Sequence, residues 1–154
     1  MLEISPAAKA KEAKAVFLGE YSHTLDSKNR LTLPSRMREE MGDRAILVKS
    51  IDKCVSVYNT SAWSTYTAKL ESLPATEARV LKRFIYSSAY EAELDSQGRI
   101  LIPASLCQYA GLQKNIKIIG AGDHIELWDE TLWEESIRSA DTAAMEALMI
   151  KLGF

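Results

Sequence analysis

Two five-residue segments of this chain carry the same pattern of polar and charged residues, and both could bind an anion. The first is Asp26-Ser27-Lys28-Asn29-Arg30, and the second, 69 positions later, is Asp95-Ser96-Gln97-Gly98-Arg99. Arginine presents a rigid fork of N–H donors that can bind guanine O6 and N7 together or clamp a phosphate. Lysine, asparagine and glutamine are the other usual readers of base edges. A duplicated display of these groups suits a repeating polyanion such as DNA.

Both segments have the composition of a tight turn. Asp and Ser begin turns because their side chains accept hydrogen bonds from nearby backbone N–H groups. The fourth position is Asn29 or Gly98; glycine adopts positive φ freely, and asparagine is one of the few other residues that tolerate it. We therefore predict one left-handed residue per loop, Lys28 or Gln97 near the tip, and an arginine where the next strand begins. The residues predicted to shape the turns are Asp26, Asp95 and Gly98.

The loop arginines allow two interpretations. In the structural one, each arginine pairs with the Asp of its own turn or with a neighbouring carboxylate. In the functional one, Arg30 and Arg99 point outward from one surface, unpaired by carboxylates, and contact DNA. The duplication favours the functional interpretation.

Charges beyond the loops make the two loops unequal. Arg36 and Arg38 follow Pro34 and should add charge beside the first loop. The matching residues of the second unit, Ser105 and Cys107, should leave that loop electrostatically weaker. The candidate DNA-contacting residues are Lys28, Asn29, Arg30, Arg36, Arg38, Gln97 and Arg99.

The loops belong to an internal repeat. LDSKNRLTLPSRM (Leu25–Met37) matches LDSQGRILIPASL (Leu94–Leu106), and the match extends to about fifty residues in each unit. Each unit predicts a strand that leads to the Asp (16–25; 85–94), the turn, a short strand, a short helix opened by proline, two further strands and a helix. Two amphipathic helices should connect the units.

A fifty-residue unit of this kind has edge strands that it cannot cover alone, and two interlocked units can pair these edges with each other. We therefore predict an α+β fold, a pseudo-twofold β-barrel of two tandem units with flanking helices. The predicted divisions are 1–15 (flexible N-terminal extension), 16–63 (first unit), 64–84 (linking helices), 85–133 (second unit) and 134–154 (C-terminal helical tail). Aromatic residues at repeat positions are predicted to pack in the interior; they are Tyr58, Trp63, Tyr66, Trp128 and Trp133.

The composition is that of a soluble globular chain: of 154 residues, 47% are hydrophobic and 26% are charged. The net charge of −2 conceals an uneven distribution, because residues 120–154 hold eight acidic and two basic residues whereas residues 16–119 carry +3. The first fifteen residues lack the apolar centre of a signal peptide, and no apolar stretch could span a bilayer. We therefore expect a cytoplasmic chain with reduced thiols at Cys54 and Cys107.

Longer stretches around the loops resemble the MraZ family of bacterial transcriptional regulators, which carry two swapped-hairpin motifs of the AbrB type. The stretches are FLGEYSHTLDSKNRLTLPSRMREEMG, LDSQGRILIPASLCQYAGL and HIELWDETLWEE, within residues 16–140. The resemblance implies a swapped-hairpin barrel whose loops contact DNA, and so points to Lys28, Arg30, Gln97 and Arg99. Asn29 stands where the family usually has glycine.

The resemblance also implies an assembly and a target. Family members form closed rings that bind short direct repeats in the promoter of a division and cell-wall operon, and the usual consequence is autorepression. For this chain we accordingly expect double-stranded DNA and other copies of itself as partners, a location at the nucleoid, and no cofactor, membrane or small-molecule substrate.

Three alternatives compete with this interpretation. An enzyme would need a base beside a nucleophile, but His23 and His124 occupy non-equivalent repeat positions, and nothing places either beside Cys107. Zinc-ligand spacing is also missing from the sequence, so we expect neither catalysis nor a metal site. A protein-interaction ring that recruits a partner through the acidic C-terminal helices, and an antitoxin-like AbrB relative, both remain open.

Overall fold

Residues 16–154 form eight strands and six helices in the computed structural model, which describes this part of the chain. The elements are β1 (Glu20–Thr24), β2 (Arg30–Thr32), α1 (Ser35–Met41), β3 (Arg44–Lys49), β4 (Val55–Tyr58), α2 (Thr60–Glu71), α3 (Ala75–Ser88), β5 (Tyr90–Glu93), β6 (Arg99–Leu101), α4 (Ala104–Ala110), β7 (Asn115–Gly120), β8 (Ile125–Asp129), α5 (Glu130–Arg138) and α6 (Thr142–Lys151). Antiparallel strands combined with helices confirm the α+β class. The predicted extension, residues 1–15, lies outside the described residues.

The two units have the same order of elements and exchange their first strands. Strand β1 of the first unit pairs with β7 of the second, and β5 of the second pairs with β3 of the first. The result is a six-stranded antiparallel sheet of order β1-β7-β8-β4-β3-β5. Each unit thus covers an edge of the other, which is the physical benefit expected of the duplication.

The large sheet is open, so the predicted pseudo-twofold β-barrel is not confirmed. Strands β1 and β5 are its ends, and the short strands β2 and β6 form a separate two-stranded sheet, which we call the ribbon. With three residues each, the ribbon strands pair only with one another among the described strands, and so do not join the ends of the larger sheet.

A pseudo-twofold axis relates the units at two places. In the ribbon, Leu31 lies opposite Ile100, and in the large sheet Ser56 lies opposite Glu126. Each of these residues therefore faces its own repeat equivalent. The two loops that precede β2 and β6 are consequently fixed relative to each other by the same symmetry.

The main core lies between the ribbon and one face of the large sheet. Side chains alternate across a strand, so every second residue of β3, β4, β7 and β8 points to this core. Helices α1 and α4 close it with Met37, Met41, Leu106 and Ala110. The fully buried ribbon and sheet residues include Leu31, Leu33, Ile100, Ile102, Leu47, Val55, Val57, Ile116, Ile118, Ile125 and Leu127.

Helices α2 and α3 cover the opposite sheet face through a second cluster of Val48, Tyr58, Leu70 and Ile85. The predicted packing role of the aromatic residues is confirmed at Tyr58, which is 6% exposed, with its ring centroid 5.0 Å from that of Tyr66. Trp128 is likewise buried and packs on Trp133, with 5.6 Å between ring centroids.

The predicted strand over 85–94 is wrong at its start. Helix α3 continues to Ser88, and strand β5 covers only Tyr90–Glu93. The reason is packing: Ile85 of α3 belongs to the second cluster and Ala78, two helical turns earlier, is also buried, so the packed face of the helix extends beyond residue 84. Within the described residues, no helix is both long and apolar enough to cross a membrane.

Candidate nucleic-acid interface

The two loops share one backbone geometry, set by their aspartates. Asp26 Oδ1 accepts the N–H groups of Lys28 and Arg30 at 2.9 and 2.8 Å. Asp95 Oδ1 accepts those of Gln97 and Arg99, both at 2.9 Å. The agreement within 0.1 Å means that one turn has been used twice.

The fourth residue of each loop is left-handed, as the choice of asparagine and glycine predicts. Asn29 has φ of 59° and Gly98 has φ of 73°. Each donates its N–H to the carbonyl of the loop Asp, at 3.0 Å for Asn29 and 2.9 Å for Gly98. The backbone therefore reverses direction at this residue, and the arginine that follows it is the first residue of the ribbon strand.

The expectation that the loop arginines are unpaired by carboxylates is wrong. Arg30 Nε donates to Asp26 Oδ2, and Arg99 Nε donates to Asp95 Oδ2, both at 2.8 Å. The loop holds each carboxylate beside its arginine, because two backbone N–H groups already fix the Asp side chain. These backbone bonds, the arginine's own N–H first, together with the guanidinium lower the pKa of Asp26 and Asp95 below the usual value.

The pairing occupies one edge of each guanidinium. The bond to Asp uses Nε, and neither Nη atom of Arg30 or Arg99 makes a hydrogen bond with any residue between 16 and 154. The two side chains remain 33% and 27% exposed. Each Asp therefore orients the guanidinium while its outer N–H groups stay free to bind an anion.

The ribbon places both arginines on one face. Arg30 lies opposite Leu101 and Thr32 lies opposite Arg99, and opposite residues project to the same side of a sheet. Because Leu31 and Ile100 point into the core, these four residues form the outward face of the ribbon. The loop tips are tied to this ribbon, since the N–H groups of Leu33 and Ile102 donate to the carbonyls of Gly98 and Asn29, respectively, at 3.0 and 2.8 Å.

The sequence predicts that Arg38 adds charge beside the first loop, but in the structure its side chain contacts the second loop. Its Nη1 donates to the carbonyl of Gln97 at 3.3 Å, and its side chain covers Gly98 in the second loop. The first unit thus adds a guanidinium to the loop that the sequence predicts to be electrostatically weaker. Arg36 is exposed and makes no hydrogen bond or ion pair with another described residue.

In the described part of the chain, neither cysteine and neither histidine makes a hydrogen bond with a residue of the two loops. Burial raises the pKa of Cys54 to about 12, and burial also raises that of Cys107. His124 is held between Asp123 Oδ1 at 2.7 Å and Glu126 Oε2 at 3.2 Å. Among residues 16–154, no group of three or more His, Cys, Asp or Glu side chains is arranged to hold a metal ion.

Comparison with known proteins identifies the lineage. A family model described as "MraZ protein, putative antitoxin-like" matches this chain twice, over residues 16–84 and 85–151. The chain belongs to the MraZ family. The resemblance carried by the loop motifs is therefore confirmed, and the double match agrees with the internal repeat.

Curated MraZ relatives match this chain over most of their length. "Transcriptional regulator MraZ" of Desulfitobacterium hafniense strain Y51 is 44% identical over 142 residues, 90% of this chain and 99% of the relative. The protein of the same name from Acetivibrio thermocellus is 43% identical over 141 residues, 88% and 99% of the two chains. That of Alkaliphilus metalliredigens is 48% identical over 120 residues, 77% and 84%.

Among solved structures, the solution structure of PHS018 from Pyrococcus horikoshii matches 72% of this chain and 87% of that one. It is 18% identical with a TM-score of 0.32, which is too low to bear on the fold.

Two features of the candidate interface of this MraZ-family chain are not evident from its loop motifs. Thr32 and Leu101 share the outward face with the arginines, which the alternation in each short strand would have indicated once β2 and β6 were paired. Arg38 crosses to the other unit, and no local signal shows this, because Gly98 is 60 residues away in the chain.

Proposed function

We propose that this chain is a transcriptional regulator that binds double-stranded DNA sequence-specifically through the outward face of the ribbon and its two loops. The observation that carries the proposal is the pair of Asp-oriented arginines on one face, each with free outer N–H groups. The name given to the curated relatives, transcriptional regulator, supports the same role.

The geometry of the ribbon suits the major groove. A groove about 12 Å wide admits a two-stranded β-ribbon. Arg30 and Arg99 are diagonal neighbours across the antiparallel pair, so their Cα atoms lie roughly 7–8 Å apart. This spacing corresponds to about two base-pair steps of roughly 3.4 Å, so that the two forks can meet base pairs two steps apart. Exposed Lys28 and Gln97 at the tips would then reach phosphates or base edges beside them.

The proposal extends to an assembly. In this view the two units are AbrB-type swapped hairpins, and copies of the chain form a ring that meets successive direct repeats of a promoter. Support comes from α6, in which none of the residues Thr142–Lys151 is buried although the helix is apolar on all sides. A helix of that composition is normally buried, so it calls for a covering surface. The most exposed apolar residues of the C-terminal segment are Leu148, Ile150, Leu152 and Phe154.

The expected target is the promoter of the division and cell-wall gene cluster, which would place the chain in the cytoplasm at the nucleoid. Each subunit would make a modest contact, and several subunits on several repeats would bind strongly through multivalency. The role is one of binding, with Arg30, Arg99, Lys28, Asn29 and Gln97 at the DNA and Arg36 beside them.

A gel-shift titration with the cognate promoter fragment tests the loops. We expect Arg30→Ala and Arg99→Ala each to weaken binding by about 1–3 kcal/mol, the usual contribution of one bidentate arginine–guanine pair. Lys69→Ala on α2 removes one exposed positive charge far along the chain from both loops and serves as the control, with near wild-type affinity. Wild-type binding by the Arg30→Ala, Arg99→Ala double variant would remove the loops from the function and leave the protein-interaction alternative.

A further inference from the structure

The two loops share a backbone but differ in what covers them. Arg38 belongs to α1 of the first unit, yet its side chain lies on the second loop, with Nη1 bonded to the Gln97 carbonyl. Its repeat equivalent is Cys107, whose short thiol approaches the carbonyl of Ile102 at 3.8 Å. An arginine therefore covers the tip of the second loop, whereas the pseudo-symmetric position at the first loop carries only a thiol.

The Arg38 side chain occupies the space in which a side chain at position 98 would begin. A Cβ built on Gly98 would collide with Cδ, Nε and Nη1 of Arg38. A positive φ alone does not require glycine, since Asn29 adopts the same region in the first loop. Gly98 thus lies beneath an arginine side chain that any residue with a Cβ at this position would have to displace.

Arg38 occupies this position at an energetic cost. Its Nε is buried and has no hydrogen-bond partner among the described residues. A buried unpaired donor is unfavourable, and a charged one more so, so hydrogen bonding alone does not explain the position of this side chain. What the position achieves is to clamp the Gln97-Gly98 peptide directly before Arg99.

We propose that Arg38 is a positioning residue for the second DNA-contacting loop: it holds Gln97 and Gly98 from across the pseudo-twofold axis and so fixes where Arg99 is presented. The first loop has no such clamp and tolerates asparagine. The effect on DNA rests on the proposed function, whereas the clamp itself is a property of the fold and can be tested without DNA.

The clamp is tested by a double-mutant cycle in thermal denaturation with the full chain. Gly98→Asn in the wild type must displace Arg38, whereas in an Arg38→Ala background the same asparagine finds space and a tolerated φ. We expect Gly98→Asn to lower Tm by at least about 2 °C more in the first background than in the second, the order of shift that removal of one interaction gives in a chain of this size. Asn29→Gly is the matched control and should show no dependence on Arg38. Equal shifts for Gly98→Asn in both backgrounds would overturn the clamp.

The consequence for DNA is tested with promoter DNA in an Arg30→Ala background, where residual affinity reports on the second loop. Positioning predicts that Arg38→Ala weakens binding about fivefold or more, leaves the salt dependence unchanged, and adds nothing once Arg99 is also Ala. A direct phosphate contact by Arg38 predicts instead that the salt slope falls by about 1 and that the two effects add, and this result would overturn the positioning role. If the thermal double-mutant cycle shows that Gly98 and Arg38 are coupled but the wild type does not bind promoter DNA, the proposed function is refuted and the clamp is confirmed.

Discussion

At the scale of single residues, each loop pair of aspartate and arginine has a structural role in the turn and a proposed role in contacting DNA. An Asp that bonds its arginine would ordinarily argue that the arginine is structural. Here the bond uses Nε alone, and Oδ1 of the same Asp holds the turn through backbone N–H groups. The carboxylate thus shapes the loop and aims the guanidinium, and its charge lowers the local positive potential. Sequence-specific contacts by the outer N–H groups fit this arrangement better than attraction by net charge does.

His124 offers a test by pH. Burial alone would lower its pKa, but hydrogen bonds to Glu126 and Asp123 outweigh burial and raise the pKa above the usual 6.5. A raised folded pKa stabilises the fold fully below about pH 6.5, and the contribution is lost as pH rises through the folded value. We therefore expect the Tm of the wild type to fall as the pH rises from about 6.5 through the folded pKa of His124. The Tm of His124→Gln should change much less over the same pH range. A His124→Gln profile that matched the wild type would contradict the assignment.

At the scale of elements, local chemistry made the loops and the repeat predictable, and distant packing decided the rest. The left-handed residues 29 and 98 follow from residue type alone. The pairing of Arg30 with Asp26 was open in the sequence, because an Asp and an Arg four residues apart fit both a salt bridge and a free guanidinium. The end of α3 at Ser88 depends on the cluster beneath Ile85, and the reach of Arg38 depends on how the two units interlock. Neither is encoded in a short window of sequence.

The ribbon gives an element-scale prediction about stability. Leu31 is fully buried and faces Ile100 at the pseudo-twofold axis, so Leu31→Ala leaves a cavity under both loops. We expect a decrease of about 2–5 kcal/mol in the free energy of unfolding, measured by urea denaturation. Leu101→Ala removes the same side chain from the outward face, where Leu101 is 43% exposed, and should cost far less. Similar decreases for the two variants would mean that the ribbon is not packed on the core as described.

At the scale of the whole molecule, the acidic C-terminal helices and the arginine-bearing helix α3 differ in charge, and both expose apolar side chains. Helices α5 and α6 lie in the acidic segment 120–154, and the apolar side chains of α6 are exposed. Helix α3 carries Arg79 and Arg83 beside Val80, which is 67% exposed. A tail of one copy on the α3 face of the next would match acidic with basic and apolar with apolar surface. Such a head-to-tail contact generates a ring when its rotation closes.

The exposed apolar residues of α6 give the last prediction. Met145 and Leu148, one helical turn apart, are 48% and 61% exposed, and replacing both with Glu should abolish a contact between copies. We expect light scattering to show the wild type as a multiple of the chain mass and this variant as a smaller species. Affinity for a fragment with a single repeat should be retained, because the loops are untouched, whereas affinity for a promoter with several repeats should fall by about 10²–10⁴ as multivalency disappears.

Met145→Leu with Leu148→Met keeps the positions apolar and should behave as the wild type. A wild type that is monomeric at micromolar concentration would show that the copies do not assemble. A Glu variant whose mass in solution equals that of the wild type would show that α6 does not join them.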